Sequence, residues 1–283
     1  MGQDLELRAF SATPVGMNFG VLALGHASGT VLFDQATKIE DVTGKITSVA
    51  GVYGRSLSVF GAAGKIVAVV PFLWGDWEGM YQGAPASASR RGMADPLVEL
   101  SVNFLGAPAM TMAQMRTYSQ KWVVGGSIKV SVPVGQYLPE KLLNLGANRW
   151  AVRPRFGVSR KSGRLALEGM ASVWLYEIND DFFGGSSLAK EPLWSLQFNG
   201  VYQWLSGLWL GVGAGFSRGG QSSVNDLISD TYQKTTRWAA VLSVPVAKRH
   251  SLKVLFANGL STRVGADLTN VSLAWSWRWG GEG

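Results

Sequence analysis

The chain has 283 residues, a formal net charge of +7 and no cysteine, which excludes a disulfide framework and thiolate chemistry. Its 26 Lys and Arg residues are scattered rather than gathered in a basic helix or run, so the charge does not indicate a nucleic-acid partner. The chain is rich in Gly (36 residues) and Trp (12 residues). Gly suits tight turns and crowded barrel interiors, and Trp suits membrane interfaces, so the composition favours a membrane β-barrel.

The first predicted element is the segment 1–14, which carries Leu5, Leu7 and Phe10 and is apolar for a free tail. Fully extended, it would reach about 45 Å at 3.3 Å per residue. That length exceeds the roughly 25 Å apolar band of an outer-membrane barrel. We expect this segment to enter the barrel that follows and to plug its lumen. A disordered periplasmic tail is the alternative.

Two runs, 9–33 and 192–217, contain no charged residue and are long enough for transmembrane helices. The first run holds four Gly together with Asn18 and His26, which suit a lipid-facing helix poorly. In the second run, apolar and polar residues alternate from Trp194 to Trp204. This period of two predicts a strand with one apolar face and one polar face, because a helix would mix the two sets.

The same alternation recurs in residues 121–134 and 271–279. A soluble β-sandwich would show it too, with the apolar face as its core. However, these strands are near ten residues or longer, whereas strands of globular proteins are usually about five or six. Trp also collects at the strand ends, as the aromatic girdle of a membrane barrel requires. The pattern therefore favours a barrel over a sandwich.

The turns and alternations define about twelve strands. They are residues 15–28, 44–60, 64–77, 94–105, 120–136, 148–160, 164–178, 192–205, 208–219, 233–247, 251–262 and 267–279. Short turns, such as 205–207, alternate with longer loops around 29–43, 78–93, 137–147, 179–191 and 220–232. The connection 106–119 is long for its side, and we expect a short helix within 110–118.

The predicted fold is therefore all-β: a closed antiparallel transmembrane β-barrel over residues 15–280, with residues 1–14 as a lumen segment. An even number of strands leaves both termini in the periplasm. Twelve strands tilted by about 40° give a backbone radius of roughly 12 Å, and side chains remove about half of it. The expected pore is narrow.

The polar faces of the predicted strands carry charges that should line the lumen. A charge turned toward lipid at mid-depth would cost roughly 2–4 kcal/mol, so the inward orientation is favoured. Pairing that stiffens the barrel, lining of a path and binding of the N-terminal segment remain open as roles. The candidate residues are Glu99, Asn103, Lys129, Arg149, Arg153, Arg155 and Glu168.

An enzyme would need a constellation that the sequence lacks. The chain has two histidines, His26 and His250, and no Cys/His cluster that suggests zinc. A hydrolase built on His26 and Ser28, at the edge of the first strand, is the one catalytic alternative. Asp180 and Asp181 alone are weak evidence for calcium. We expect no catalytic residues, no metal and no cofactor.

The sequence also resembles a known family, the outer-membrane channels of the meta-pathway of phenol degradation. The resemblance spans nearly the whole chain, apart from the tail 280–283 that follows Trp279. It is carried by Pro14–Phe19, Ile39–Val42, Asp95–Pro96, Val102–Ala109, Gly135–Tyr137, Asn148–Trp150, Asn179–Gly185, His250–Lys253 and Ser261–Arg263.

The resemblance implies a twelve-stranded channel for passive uptake of small hydrophobic molecules of aromatic type, with outer-membrane lipid and lipopolysaccharide around it. The alternative is a narrow diffusion pore for small polar or anionic solutes, biased by the inward arginines. A lipid-acting enzyme is a third hypothesis. We expect a monomer in the bacterial outer membrane. The start of the chain shows no secretory signal, so we interpret it as the mature form.

Overall fold

The computed structural model describes residues 5–32, 39–205, 207–263 and 265–281. These residues form seventeen strands and one short helix. The elements are β1 Met17–Leu32, β2 Ile39–Val59, β3 Ala62–Tyr81, β4 Ala84–Met93, β5 Leu97–Leu105, α1 Met112–Thr117, β6 Trp122–Ser131, β7 Ala151–Ser162, β8 Leu165–Tyr176, β9 Asn179–Phe182, β10 Ser186–Lys190, β11 Leu193–Leu205, β12 Leu208–Gly219, β13 Ser222–Val224, β14 Leu227–Ile228, β15 Gln233–Ala247, β16 His250–Thr262 and β17 Gly265–Gly280.

The main sheet is a closed antiparallel barrel with twelve strand positions, as predicted. Each position pairs with its neighbour along the chain, and β1 closes the barrel against β17 from Met17↔Gly280 to Leu32↔Gly265. Strands β4 and β5 share one position, because both pair with successive parts of β3. We call the end that carries Met17 and Gly280 the terminal end, and the opposite end the loop end.

The alternation seen in the sequence is the alternation of the two barrel faces. In β11, Trp194, Leu196 and Phe198 are exposed on the outside, whereas Gln197 and Asn199 are buried inside. A closed sheet satisfies every ladder hydrogen bond without exposing an edge to lipid. An apolar exterior around a polar interior is the arrangement that lipid requires of such a barrel.

The short helix within 110–118 is present as α1. Thr111 caps it, since the Thr111 side chain accepts a hydrogen bond from the backbone N–H of Gln114, and the Gln114 side chain accepts one from the Thr111 N–H. In the described residues, no helix has the length and apolar character needed to cross a membrane.

Two of the expected loops are wrong. Residues 29–32 belong to β1 and residues 39–43 belong to β2; residues 33–38 lie outside the described part of the chain. The expected loop 78–93 is a hairpin, in which β3 and β4 are joined by Gln82 and Gly83. Both turn residues have positive φ, 52° and 78°, as a tight two-residue hairpin turn needs.

The other differences between the predicted and the observed elements also lie at the loop end. Strand β6 ends at Ser131 and β7 begins at Ala151, so the loop between them runs over 132–150 and is longer than expected. The expected loops 179–191 and 220–232 contain the short strands β9, β10, β13 and β14, which form a separate four-stranded sheet. Ser206, in the expected turn 205–207, lies outside the described residues.

Candidate functional site

The N-terminal segment, described from Leu5 onward, contacts the inner wall of the barrel. Phe10 is 1% exposed and packs with Ala9, Ala63 and Val123. Two glycines of the wall make room for the segment. A Cβ at Gly157 would overlap the ring of Phe10, and a Cβ at Gly211 would overlap the side chain of Leu7.

Glu6 lies at the centre of a group of charges contributed by β5, β6 and β7, which we call the Glu6 cluster. Its carboxylate is 2.8 Å from Nη2 of Arg153 and 2.7 Å from Nη1 of Arg155, and it also pairs with Lys129. Glu99 pairs with Lys129 at 3.0 Å and with Arg155. The register places these residues together, since Glu99 lies opposite Lys129, and Lys129 lies opposite Arg153.

Polar side chains of the two strands that follow β7 in the barrel, which are β8 and β11, hold the backbone of the same segment. Asn199 and Gln197 donate to the carbonyl of Glu6 at 2.9 and 3.0 Å. The carboxylate of Glu168 accepts hydrogen bonds from the backbone N–H of Arg8 at 2.8 Å and from Asn199 at 2.9 Å. A polar interior therefore contacts a segment whose own amides would otherwise lack partners.

The remaining predicted lumen residues lie at three levels of the barrel. Asn103 is buried next to Gly125, at the level of Phe10. Leu5 lies near Gly215 of β12, at the level of the Glu6 cluster. Arg149 lies apart from the cluster, at the loop end just before β7, where its guanidinium stacks on Tyr176. Sequence reasoning did not name Glu6, although a carboxylate between Leu5 and Leu7, ahead of a barrel with inward cations, is a usable signal.

Two cavities inside the barrel contact the N-terminal segment, and their volumes differ greatly. At the terminal end, a cavity of about 1210 Å³ is bounded by Leu7, Pro14, Met17 and Gly280, among others. Beyond Leu5, between Arg153, Arg155 and Gly215, the free space is about 30 Å³. This volume is roughly that of one water molecule.

The barrel wall is interrupted at the loop end. Strand β4 pairs only with β3 among the described residues, and β4 is separated from β5 by residues 94–96. Asp95 is 1% exposed, and its carboxylate accepts hydrogen bonds from the backbone N–H of Gly135 at 2.9 Å and of Ala147 at 2.7 Å. Asp95 therefore fixes the loop 132–150 across the interruption. Sequence reasoning placed Asp95 inside a strand, although Pro96 is a signal of a broken strand.

An apolar pocket of about 240 Å³, which we call the rim pocket, lies between the β3–β4 hairpin and the loop 132–150. The guanidinium of Arg90 donates to the carbonyl of Leu143 at 2.8 Å and ties the two walls together. Most of its lining is apolar or aromatic, including Val42, Trp77, Met80, Tyr81, Leu142, Leu143 and Phe183.

A second pocket, of about 190 Å³, lies on the lumen side of the same loop. We call it the cation pocket, after Arg149 and Lys190, which line it together with Trp174 and Tyr176. Residues 144–147 of the loop also line it, so the loop 132–150 contributes to both pockets. Sequence reasoning placed Lys190 in a loop and did not connect it with Arg149.

His26, the candidate for a hydrolase, lies on β1. It is exposed on the outer face of β1, and its ring Nδ1 lies 3.1 Å from the hydroxyl of Thr47 on β2. Ser28, the partner that a hydrolase would require, forms no hydrogen bond with it in the described chain.

This fold, a closed barrel with an apolar exterior and a polar, charged interior, is that of a bacterial outer-membrane β-barrel. An outer membrane channel from Pseudomonas putida F1 has the same fold, with a TM-score of 0.82 at 18% identity over 98% of this chain and 100% of that chain. The transport unit of the autotransporter AIDA-I from Escherichia coli gives 0.54 at 9% identity, over 97% of this chain and 92% of that chain. The beta domain of the Bordetella autotransporter Brka gives 0.51 at 10% identity, over 94% and 99%.

The chain matches, over residues 32–275, the family described as "Putative MetA-pathway of phenol degradation", and it belongs to that family. The family predicted from the sequence motifs is therefore confirmed. No curated protein matches the chain. Several of the motifs meet at the wall interruption. Asp95 binds the Gly135 amide, and Asn179 hydrogen-bonds both Tyr137 and Asn148.

Proposed function

We propose that the chain is an outer-membrane channel for passive uptake of small hydrophobic molecules of aromatic type. The rim pocket carries this proposal, because its apolar lining lies at the loop end, which faces the outside in barrels with short periplasmic turns. A pocket of this kind shelters an apolar solute from the lipopolysaccharide layer. The family description, which refers to phenol degradation, agrees with such a substrate.

Residues 1–14 serve, in this proposal, as a lumen segment that keeps the axial path narrow, and residues 15–280 serve as the barrel. The support is the small free space of about 30 Å³ beside Leu5 and the ion pairs of Glu6. The substrate-facing residues would be Leu5, Leu7 and Phe10 together with the polar residues of the inner wall. We further propose that the channel works as a monomer surrounded by lipid and lipopolysaccharide.

The alternative is a narrow pore for small anions, and one observation favours it. Among the described residues, seven basic side chains and no acidic one line the large cavity at the terminal end; Arg8, Lys65, Lys253 and Arg278 are among them. Such a cavity would concentrate anions and repel cations. The two candidates differ in whether an uncharged apolar solute or a small hydrophilic anion crosses faster.

Uptake by cells that lack other general porins tests the proposal. The chain is expressed in their outer membrane, and entry of naphthalene is compared with entry of chloride-sized anions and of arabinose. We expect faster naphthalene entry than in cells without the chain. Leu143→Asp, which places a charge in the rim pocket, should abolish the gain, whereas Lys141→Gln on the exposed part of the same loop should keep it. Rapid entry of anions or arabinose without any gain for naphthalene would refute the proposal.

A further inference from the structure

The cation pocket gathers positive charge around two aromatic rings. The guanidinium carbon of Arg149 lies 5.2 Å from the ring centroid of Tyr176, and Nζ of Lys190 lies 5.0 Å from the same centroid. The ring of Trp174 stacks beside Tyr176 at 6.3 Å and 18°. Three strands bring these groups together, since Arg149 precedes β7, the two rings end β8, and Lys190 ends β10.

Neither Arg149 nor Lys190 has a carboxylate within ion-pair distance in the described part of the chain. Within the described residues, the one hydrogen bond of Arg149 goes to the carbonyl of Leu188 at 3.3 Å. This contrasts with the Glu6 cluster, where Lys129, Arg153 and Arg155 share two carboxylates. Unneutralised cations so close together repel each other, so the pocket favours a negative charge from elsewhere.

Several buried donors in the pocket also lack partners. They are Nε of Arg149, Nε1 of Trp174 and the hydroxyl of Tyr176. Trp174 is 4% exposed and lines the pocket. Buried donors without partners are uncommon in native proteins and each one needs an explanation. A carboxylate has two oxygens that could accept hydrogen bonds from such donors, and hydrogen bonds to a charged acceptor are the strong ones.

The electrostatics of Lys190 agree with this. Burial, together with the nearby charge of Arg149, lowers the pKa of Lys190 to about 8, from an ordinary value of 10.5. Lys190 lies in the small sheet outside the membrane-spanning strands. A bound anion would stabilise the charged form of Lys190 and raise the pKa of Lys190 again.

The rest of the lining is mixed: Ser131 and Asn144 are polar, whereas Leu145, Ala147 and Ala151 are apolar and offer a surface for the uncharged part of a ligand. Leu145 is 7% exposed and Ala151 is 8% exposed, and both line the pocket beside Trp174. The volume of about 190 Å³ corresponds to roughly six water molecules, enough for one small ring bearing a single acidic group.

We propose that Arg149, Lys190 and Tyr176 form a binding site for the carboxylate of a small organic acid with an apolar body. Such acids, in their ionised form, are then among the molecules that the channel admits. This inference rests on the proposed channel function for its biological meaning but not for the binding itself. The basic lining of the cavity at the terminal end gives an anion a favourable exit at the opposite end of the barrel.

Binding of benzoate to the purified, detergent-solubilised chain tests the proposal. Calorimetry, with Trp fluorescence as a second readout because Trp174 lines the pocket, gives the affinity. We expect benzoate to bind at least about 10-fold more tightly than benzyl alcohol, which has the ring without the charge, and than acetate, which has the charge without the ring. Lys190→Met and Arg149→Gln should each weaken benzoate binding by about 10-fold or more.

Three controls keep the result interpretable. Lys190→Arg should retain most of the affinity, and Lys141→Gln, a charge removed from the exposed part of the same loop, should not change it. Retention of the heat-modifiable mobility of a folded barrel shows that each variant has folded. Equal binding of benzoate and benzyl alcohol, or no loss of affinity in Lys190→Met, would overturn the proposal. If the purified chain binds benzoate but cells that carry the chain take up neither benzoate nor naphthalene, the channel function is refuted and the binding site is still supported.

Discussion

The carboxylate of Glu6 lies 2.7 Å from Nη1 of Arg155, a residue 149 positions further along the chain. This ion pair joins the N-terminal segment to the inner wall of β7, inside a barrel whose strands otherwise contact only their neighbours. Arg153 and Lys129 bind the same carboxylate, so the Glu6 side chain makes all the ion pairs between the segment and this cluster.

Glu6→Gln should therefore loosen the segment. Three cations would then share only Glu99, and a neutral amide would not offset their repulsion. We expect the single-channel conductance to rise, and the melting temperature to fall, since removing one partner of a largely buried pair is strongly destabilising. Glu140→Gln, at an exposed position of the loop 132–150, is the matched control and should change neither. Unchanged conductance with a normal fold would show that Glu6 does not hold the segment.

Gly157→Ala tests the fit between the segment and the wall. A Cβ at this position would overlap the ring of Phe10, so we expect Phe10 to be displaced while the barrel itself still forms. Electrophysiology should then show a higher or noisier conductance. Gly169→Ala on the adjacent strand is the control, because its Cβ would meet Phe198 at an ordinary 3.7 Å. Equal conductance of the two variants would show that Phe10 does not pack closely against Gly157.

Asp95→Ala should release the loop 132–150 from the wall interruption. Two backbone amides, of Gly135 and Ala147, lose a charged acceptor, which should lower the local stability by about 1.5–3 kcal/mol. Hydrogen–deuterium exchange should speed up over 135–147 and stay unchanged in β11. Asp76→Ala, which removes an exposed carboxylate bonded to Ser89, should leave the exchange of the loop as it is. Uniform acceleration across the barrel would point to global destabilisation instead.

The affinity for benzoate should depend on pH through Lys190. Its pKa of about 8 means that Lys190 is charged below this pH and neutral above it, whereas Arg149 stays charged and benzoate stays ionised. Affinity should accordingly be highest below about pH 7 and should fall as the pH rises through 8 and beyond. Titration calorimetry from pH 6 to 10 measures this fall. In Lys190→Arg the fall should disappear, and a profile equally steep in that variant would exclude Lys190 as its source.

Much of the barrel could be predicted because lipid and lumen impose opposite demands on alternate residues. The bounds of β11, β12 and β15 lie within one residue of the predicted ones, since their outer faces carry large apolar residues such as Trp194 and Phe216. Strand β4 escaped prediction because its sequence, from Ala84 to Met93, has no apolar alternation. Small and polar residues give a strand no lipid-facing signature.

The site was harder to predict than the fold. Alternation alone placed Lys129, Arg153 and Arg155 on the inward face, where the structure has them buried. It did not indicate which charges pair, because Glu6 reaches them from a segment without periodicity. Lys190 and Tyr176 come together with Arg149 through the packing of the small sheet against the barrel end, and such packing leaves no pattern along the chain.

The central claim is that residues 1–14 close the axial path of an outer-membrane channel. Single-channel recording in planar bilayers tests it most directly, by comparing the intact chain with a variant that lacks residues 2–12. The deletion removes Glu6, Leu7 and Phe10 while leaving β1, which begins at Met17, intact. We predict a small conductance for the intact chain and a several-fold larger one for the deletion variant. Equal conductance of the two proteins would contradict the claim and favour a pore that is open along its axis.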